Sequence, residues 1–157
     1  MGMDEVLQKI RSIADYQFGK GVGKILFPDG VELRFSGRTG RVKEVYFKGK
    51  LLATLRPQTG TFCPTIEGFK RIISHFQPPK FRVTVQDEVV KFVMKGKNVF
   101  AKHVKNADPN IRPEDEVVVV DRNDNVLAVG RAVLNGKEML AFQRGIAVKV
   151  RHGIREK

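Results

Sequence analysis

A chain of 157 residues, 41% of them hydrophobic, is long enough for one ordinary core or two small ones. Its 29 Lys and Arg against 17 Asp and Glu leave a net charge of +12, and no run approaches the roughly 20 apolar residues of a spanning helix. The single cysteine, Cys63, excludes an internal disulfide and a multi-thiolate zinc site.

The start MGMDEV lacks an apolar h-region, so no signal peptide is read and a cytoplasmic location is expected. Gly2 stands where a myristoyl acceptor would, but Val6 replaces the Ser or Thr of that motif. The basic excess is even, +6 in residues 1–79 and +6 in 80–157. Surfaces of this kind attract phosphate backbones through counterion release. The plainer alternative, a lysine-rich solvated surface, usually brings matching acids.

Residues 4 to about 18 predict a helix with Val6, Ile10, Ile13 and Gln17 on one face and Leu7 and Ala14 beside it. Asp4 and Glu5 lie in its first turn, where the helix dipole favours anions. Gly19, Gly21 and Gly23 follow, then a short apolar turn ending at Pro28. The GKGVG pattern follows a helix rather than a strand and lacks the GKS/T ending, which argues against a nucleotide loop. From Gly30 the period becomes two: Val31, Leu33 and Phe35 alternate with Glu32, Arg34 and Ser36, as in a half-buried strand.

A turn at 37–40 and strands at 41–47 and 51–56 around Lys48-Gly49-Lys50 complete a three-stranded meander. A strand-like TFCPT segment follows. Pro64 and Thr65 open a helix bearing Ile66, Phe69, Ile73 and Phe76. Gln77-Pro78-Pro79-Lys80 is the expected boundary, polar and stiffened by proline.

Beyond it FRVTV reads as a strand, Asp87 as the cap of a short helix through Val93, and NVFAKHV as a strand. The run Val117 to Val120 predicts a strand covered on both faces or closed into a barrel. Asp121 to Asn125 is a polar hairpin turn, and Val126 to Leu134 returns as a strand. A helical turn at 137–143 and a last strand at 147–151 close the chain.

Residues 82–155 resemble a PUA domain, an RNA-binding module. The matching features are the basic glycine loop before NVFAKHV, the IRPEDEVVVVD strand entry, LAVGRAV and the terminal AVKVRHG. The family pattern has glycine where Glu114 stands. The segments IADYQFGKGVGKILFP, RTGRVKEVYFKGKLLATLRPQTGTF and IEGFKRI are similar to the C2-type domain that precedes PUA in archaeosine tRNA-guanine transglycosylase. The resemblance implies an α+β fold in two domains. Residues 1–78 would form a small antiparallel sheet with helices, and 81–157 a PUA β-barrel. The family's chemistry lies in a (β/α)8 barrel of roughly 250 residues with paired aspartates and a Cys-rich zinc site. The match covers only the RNA-gripping part, so no catalytic residue, metal or cofactor is assigned.

Lys95, Gly96, Lys97 and Asn98 are the first candidates for RNA contact. Glycine lets the backbone approach a ligand, and the lysines and the amide reach phosphate or ribose oxygens. The resemblance adds Lys102, Arg131, Lys149 and Arg151, all expected on one face with exposed side chains. Arg34, Arg38, Arg41 and Lys43 form a second cluster that could straddle a phosphate backbone or simply blunt a sheet edge. His75, His103 and His152 have no metal-ligand spacing and read as structural or surface residues. Phe100 and Phe142 read first as core, with base stacking as the alternative. The combined reading is an RNA-binding protein whose favoured ligand is tRNA. It would serve as an accessory or detached subunit of an archaeal tRNA-modification system, without contact to a membrane. The competing readings are a modifying enzyme in its own right and a ribosome-associated or protein-interaction module.

Overall fold

The computed structural model describes residues 2–156, and the chain divides into two compact units between His75 and Phe76. The first opens with helix α1 (Met3–Phe18), whose buried residues are Ile10, Ala14 and Phe18. The inward stripe therefore runs along the i, i+4 row, and Ile13, expected inside, is only half-buried. Gln17 does face inward, where its amide donates to Phe62 O at 2.7 Å and accepts from Phe62 N at 2.8 Å.

The expected apolar turn is a short helix, α2 (Val22–Leu26). Its one glycine answers to packing: a Cβ on Gly23 would lie 2.2 Å from Arg11 O, so only glycine lets the two helices approach. Asp15 Oδ1 accepts from Gly23 N at 2.6 Å and holds that approach.

Four antiparallel strands follow in meander order: β1 (Glu32–Phe35), β2 (Val42–Phe47), β3 (Lys50–Arg56) and β4 (Thr61–Pro64). The meander has one strand more than the periodicity suggests, because TFCP pairs along β3 from Thr61↔Arg56 to Pro64↔Ala53. The β2–β3 hairpin turns on Lys48 and Gly49, both at positive φ, as a two-residue loop between right-twisted strands requires. Helix α3 (Ile66–Ile73) is capped by Thr65, whose Oγ1 accepts from Gly68 N at 3.1 Å. Phe76, assigned to that helix by spacing, lies beyond it. Phe27–Phe62 and Phe18–Phe69 meet edge-to-face in the core at 4.8 and 5.9 Å. Phe35 is 46% exposed, against the half-buried expectation, because β1 is the sheet's edge and a bulge between Arg34 and Phe35 turns its end out of register.

The second unit is a six-stranded, nearly closed barrel in the order β6-β10-β9-β8-β5-β7. Its elements are β5 (Arg82–Val85), a 3-10 turn (Asp87–Val89) leading into α4 (Val90–Met94), β6 (Val99–Phe100), a 3-10 turn (Ala101–His103) and β7 (Val104–Ala107). They continue through β8 (Glu116–Val120), β9 (Val126–Ala132), α5 (Gly136–Ala141) and β10 (Ile146–Gly153). The two edge strands, β6 and β7, are joined by the Ala101–His103 turn, so the chain itself draws the sheet's edges together. NVFAKHV is thus two short strands on opposite edges rather than one. Among the described residues only β5 and β8 pair in parallel, with Arg82 beside Val118.

All five residues of β8 are buried, as the valine run predicts. Val83, Val85, Val117, Val119, Met139 and Val148 are central to the core. Asp87 is not a side-chain cap; it begins the 3-10 turn and faces Arg122 at 3.5 Å. Helix α5 has a full capping box, Asn135 Oδ1 accepting from Glu138 N and Glu138 Oε1 from Asn135 N.

Candidate RNA-binding face

Helix α4 ends by tightening: Lys95 N and Lys97 N both donate to Phe92 O, and Gly96 N donates to Val93 O. Gly96 at φ 100° supplies the left-handed residue of such a C-terminus. The resulting loop is clamped to the end of β10. Asn98 Oδ1 accepts from Val150 N at 3.0 Å, and Arg155 N donates to Met94 O at 2.8 Å. A Cβ on Gly153 would lie 2.3 Å from Met94 O and 2.7 Å from Gly96 N, so the two backbones touch there. Asn98 therefore spends its carbonyl on the fold. Lys95 and Lys97 project from a loop whose backbone is fixed.

Across the adjoining strands Glu116, Arg131 and Lys149 oppose one another on β8, β9 and β10, which puts them in one row on one face. Arg131 Nη1 lies 3.2 Å from Glu114 Oε2, and Arg151 Nη1 lies 2.6 Å from Glu116 Oε1. Arg151 departs from the exposed side chain expected of it: it is 27% exposed and bonded to a carboxylate that is 3% exposed. Lys102 sits exposed on the Ala101–His103 turn. Among the described residues Lys95, Lys97, Lys102 and Lys149 are in no ion pair, so their charges stand open to solvent.

Beside the loop, α4 and β6 border a groove of about 470 Å³, lined among others by Phe92, Lys97, Asn98, Phe100 and His103. Phe92 is 59% and Phe100 45% exposed. Two aromatic rings at such a groove, which also holds Glu88 beside Lys97, can stack on unpaired bases. Phe100 was weighed for that role from sequence. Phe92 was missed, although placing Val89, Val90 and Val93 inward on α4 leaves Phe92 outward.

In the first unit Arg34, Arg38, Arg41 and Lys43 lie on the exposed β1–β2 hairpin. Its loop is ordered by Ser36, whose N–H donates to Arg41 O at 2.7 Å and whose carbonyl accepts from Gly40 N at 2.8 Å. Arg34 stacks 4.6 Å above the Tyr46 ring and lies 3.9 Å from Glu44. Among the described residues no cluster of His, Cys, Asp and Glu could hold a metal ion. Cys63 is buried in β4.

Residues 8–79 match the patch-forming domain C2 of tRNA-guanine transglycosylase, and residues 81–154 match the PUA domain. The PUA match spans the second compact unit. The whole chain is 46% identical to the tRNA-guanine(15) transglycosylase of Thermococcus onnurineus over 153 residues, covering 98% of this chain and 26% of the relative. The enzyme of the same name from Methanothermobacter thermautotrophicus is 41% identical over 147 residues, which is 94% of this chain and 22% of that one. The chain thus spans about a quarter of the length of these curated relatives and matches their C2 and PUA region. A hypothetical protein of Pyrococcus horikoshii has the same fold, with a TM-score of 0.77, 24% identity and coverage of 99% of this chain and 94% of the other. A PUA domain from Aeropyrum pernix has a TM-score of 0.72 at 15% identity, over 99% and 85% of the two chains. No helix among the described residues is long and apolar enough to cross a membrane.

Proposed function

We propose that this chain binds structured RNA, with tRNA as its ligand, through the α4–β6 loop and the outer row of β9 and β10. The observation that supports this most directly is the open charge of Lys95, Lys97 and Lys149 on backbone fixed by Asn98 and Gly153. Fixed backbone lets a lysine meet phosphate at small cost in loop entropy. The likeness to transglycosylases supports tRNA as the ligand and an accessory role beside a catalytic chain. The described residues form a four-stranded and a six-stranded sheet, neither of them an eight-stranded parallel barrel, and we infer that the chain performs no base exchange by itself.

The test is a salt series of tRNA binding. About four to six phosphate contacts weaken affinity on the order of 10² to 10³ between 50 and 200 mM salt. Lys95→Ala, Lys97→Ala and Lys149→Ala together should lower affinity on the order of 10²-fold and flatten the slope by about 0.7 to 0.9 per lost charge. Controls at Lys9 and Lys24 should do little. Equal losses from the control pair would reduce the protein to a diffuse polycation. Incorporation of radiolabelled guanine into tRNA by the chain alone would overturn the accessory reading, whereas incorporation that requires an added catalytic chain would support it.

A further inference from the structure

Arg112-Pro113-Glu114-Asp115 is a tight turn in which Asp115 N donates to Arg112 O at 3.1 Å. Proline at its second position and Glu114 at φ 79° at its third are the marks of a type II turn, whose third position favours glycine. Glutamate is therefore held in a left-handed conformation that side chains other than glycine and asparagine disfavour. Its backbone is tied to the neighbouring strand β9, Glu114 N donating to Ala132 O at 2.9 Å, and the carboxylate lies beside Arg131. The Glu114 side chain is 74% exposed and Arg131 35% exposed.

The neighbouring pair behaves differently. Glu116 is 3% exposed and bonded to Arg151 at 2.6 Å, so pulling the two apart would cost a buried ion pair. Glu114 can swing into solvent with little loss, since exposed ion pairs contribute little. The face thus holds one arginine with a fixed partner and one with a movable partner, the second standing opposite Lys149.

We propose that Glu114 is a specificity-determining residue: a movable counter-anion that occupies Arg131 until an RNA phosphate displaces it. Phosphates that do not reach Arg131 meet the carboxylate and are repelled, so the cost of a wrong fit rises without a new attractive contact. A strained backbone kept where glycine would relieve it fits a functional residue. The inference rests on the RNA-binding reading above.

The experiment compares Glu114→Gly and Glu114→Gln for binding to tRNA and to a mixed-sequence RNA duplex, each across a salt series. Glu114→Gly relieves the turn and frees Arg131. It should melt on the order of 3 °C higher, bind tRNA about fivefold more tightly at 100 mM salt, and steepen the slope by about one charge. Glu114→Gln keeps the turn strain, so it should show the gain in affinity without the gain in melting temperature. The duplex should gain more than tRNA, which lowers selectivity, and equal gains for the two RNAs would overturn the specificity role. In an Arg131→Ala background the gain should shrink to the long-range effect of one lost charge, about twofold or less. If the wild type binds tRNA with a clear salt slope while both Glu114 variants bind as it does, the counter-anion role is wrong and the RNA-binding reading stands. If the wild type shows no slope, that reading falls first. Equal gains with and without Arg131 would leave Glu114 a generic surface charge and overturn the proposal.

Discussion

The two basic clusters are built in opposite ways. Arg34, Arg38, Arg41 and Lys43 stand on one hairpin, within ten residues of sequence, and its register and loop bonds are all local. The barrel cluster joins Lys95 and Lys97 to Arg131, Lys149 and Arg151, brought together by the β6–β10 and β10–β9 pairings and by the Asn98–Val150 bond. A local hairpin tolerates change because each side chain answers only to its neighbours and to solvent. A face assembled from distant segments depends on backbone contacts that carry no charge at all. The difference teaches that in the barrel the glycines and the buried carboxylate matter to the basic surface as much as the lysines do.

The sharpest contrast should come from two glycines. Gly153→Ala would drive a methyl group into the backbone of Met94 and Gly96, and should cost about 3 kcal/mol or more while abolishing tight tRNA binding. Gly40→Ala meets open space and only a left-handed φ of 71°, so about 1 kcal/mol is expected, with RNA affinity near wild type. Chemical denaturation paired with filter binding measures both, and comparable losses at the two sites would break the comparison.

Next in size is Arg151→Ala. It removes the guanidinium from the buried Glu116 carboxylate and should destabilise by about 3 kcal/mol, whereas Arg34→Ala on the hairpin should stay within about 0.5 kcal/mol. Adding Glu116→Gln to Arg151→Ala should recover part of the loss, since the buried group is then neutral. A destabilised Arg151 variant also binds RNA poorly for reasons of folding, which is why the binding test relies on Lys149.

Asn98→Ala leaves Val150 N without its acceptor and should cost about 1–2 kcal/mol. Hydrogen exchange should report faster opening at Val150, with the β1–β2 hairpin unchanged.

The smallest effect concerns the Asp121–Asn125 turn. Burial raises the Asp121 pKa, but hydrogen bonds from the backbone and side chain of Asn125 and from Asn123 N, with the Arg122 charge, outweigh it and hold the carboxyl below 3.8. A depressed folded-state pKa means the turn's contribution is present above that value and fades as pH falls through the lower, folded one. Asp121→Asn should therefore melt slightly below wild type at neutral pH, and the gap should close in acid. A gap that persists in acid would assign the turn's stability to shape rather than charge.

Much of this was legible in the sequence, for reasons specific to each segment. The buried β8 followed from four consecutive valines, the α3 start from Pro64-Thr65, and the β2–β3 hairpin from Lys-Gly between alternating strands. The fourth strand was not counted because TFCP is too short to show a period and forms only by pairing along β3. Phe35 reads as half-buried by alternation and is exposed because nothing in periodicity marks a strand as an edge. The loop Lys95–Asn98 was identifiable as basic and flexible in composition, yet its rigidity comes from residues more than fifty positions away.

Sequence alone thus determined the two-part α+β architecture, the even basic charge and the residue types of the candidate face, because periodicity, turn chemistry and composition are local properties. Tertiary structure decided which charges remain open. Pairing Arg151 with Glu116 and Arg131 with Glu114 removes two arginines from the simple count of cations, while Lys95, Lys97 and Lys149 keep theirs. Which carboxylate meets which guanidinium is set by strand register and by the left-handed turn at Glu114. Register is fixed only when the whole barrel buries its valines at once.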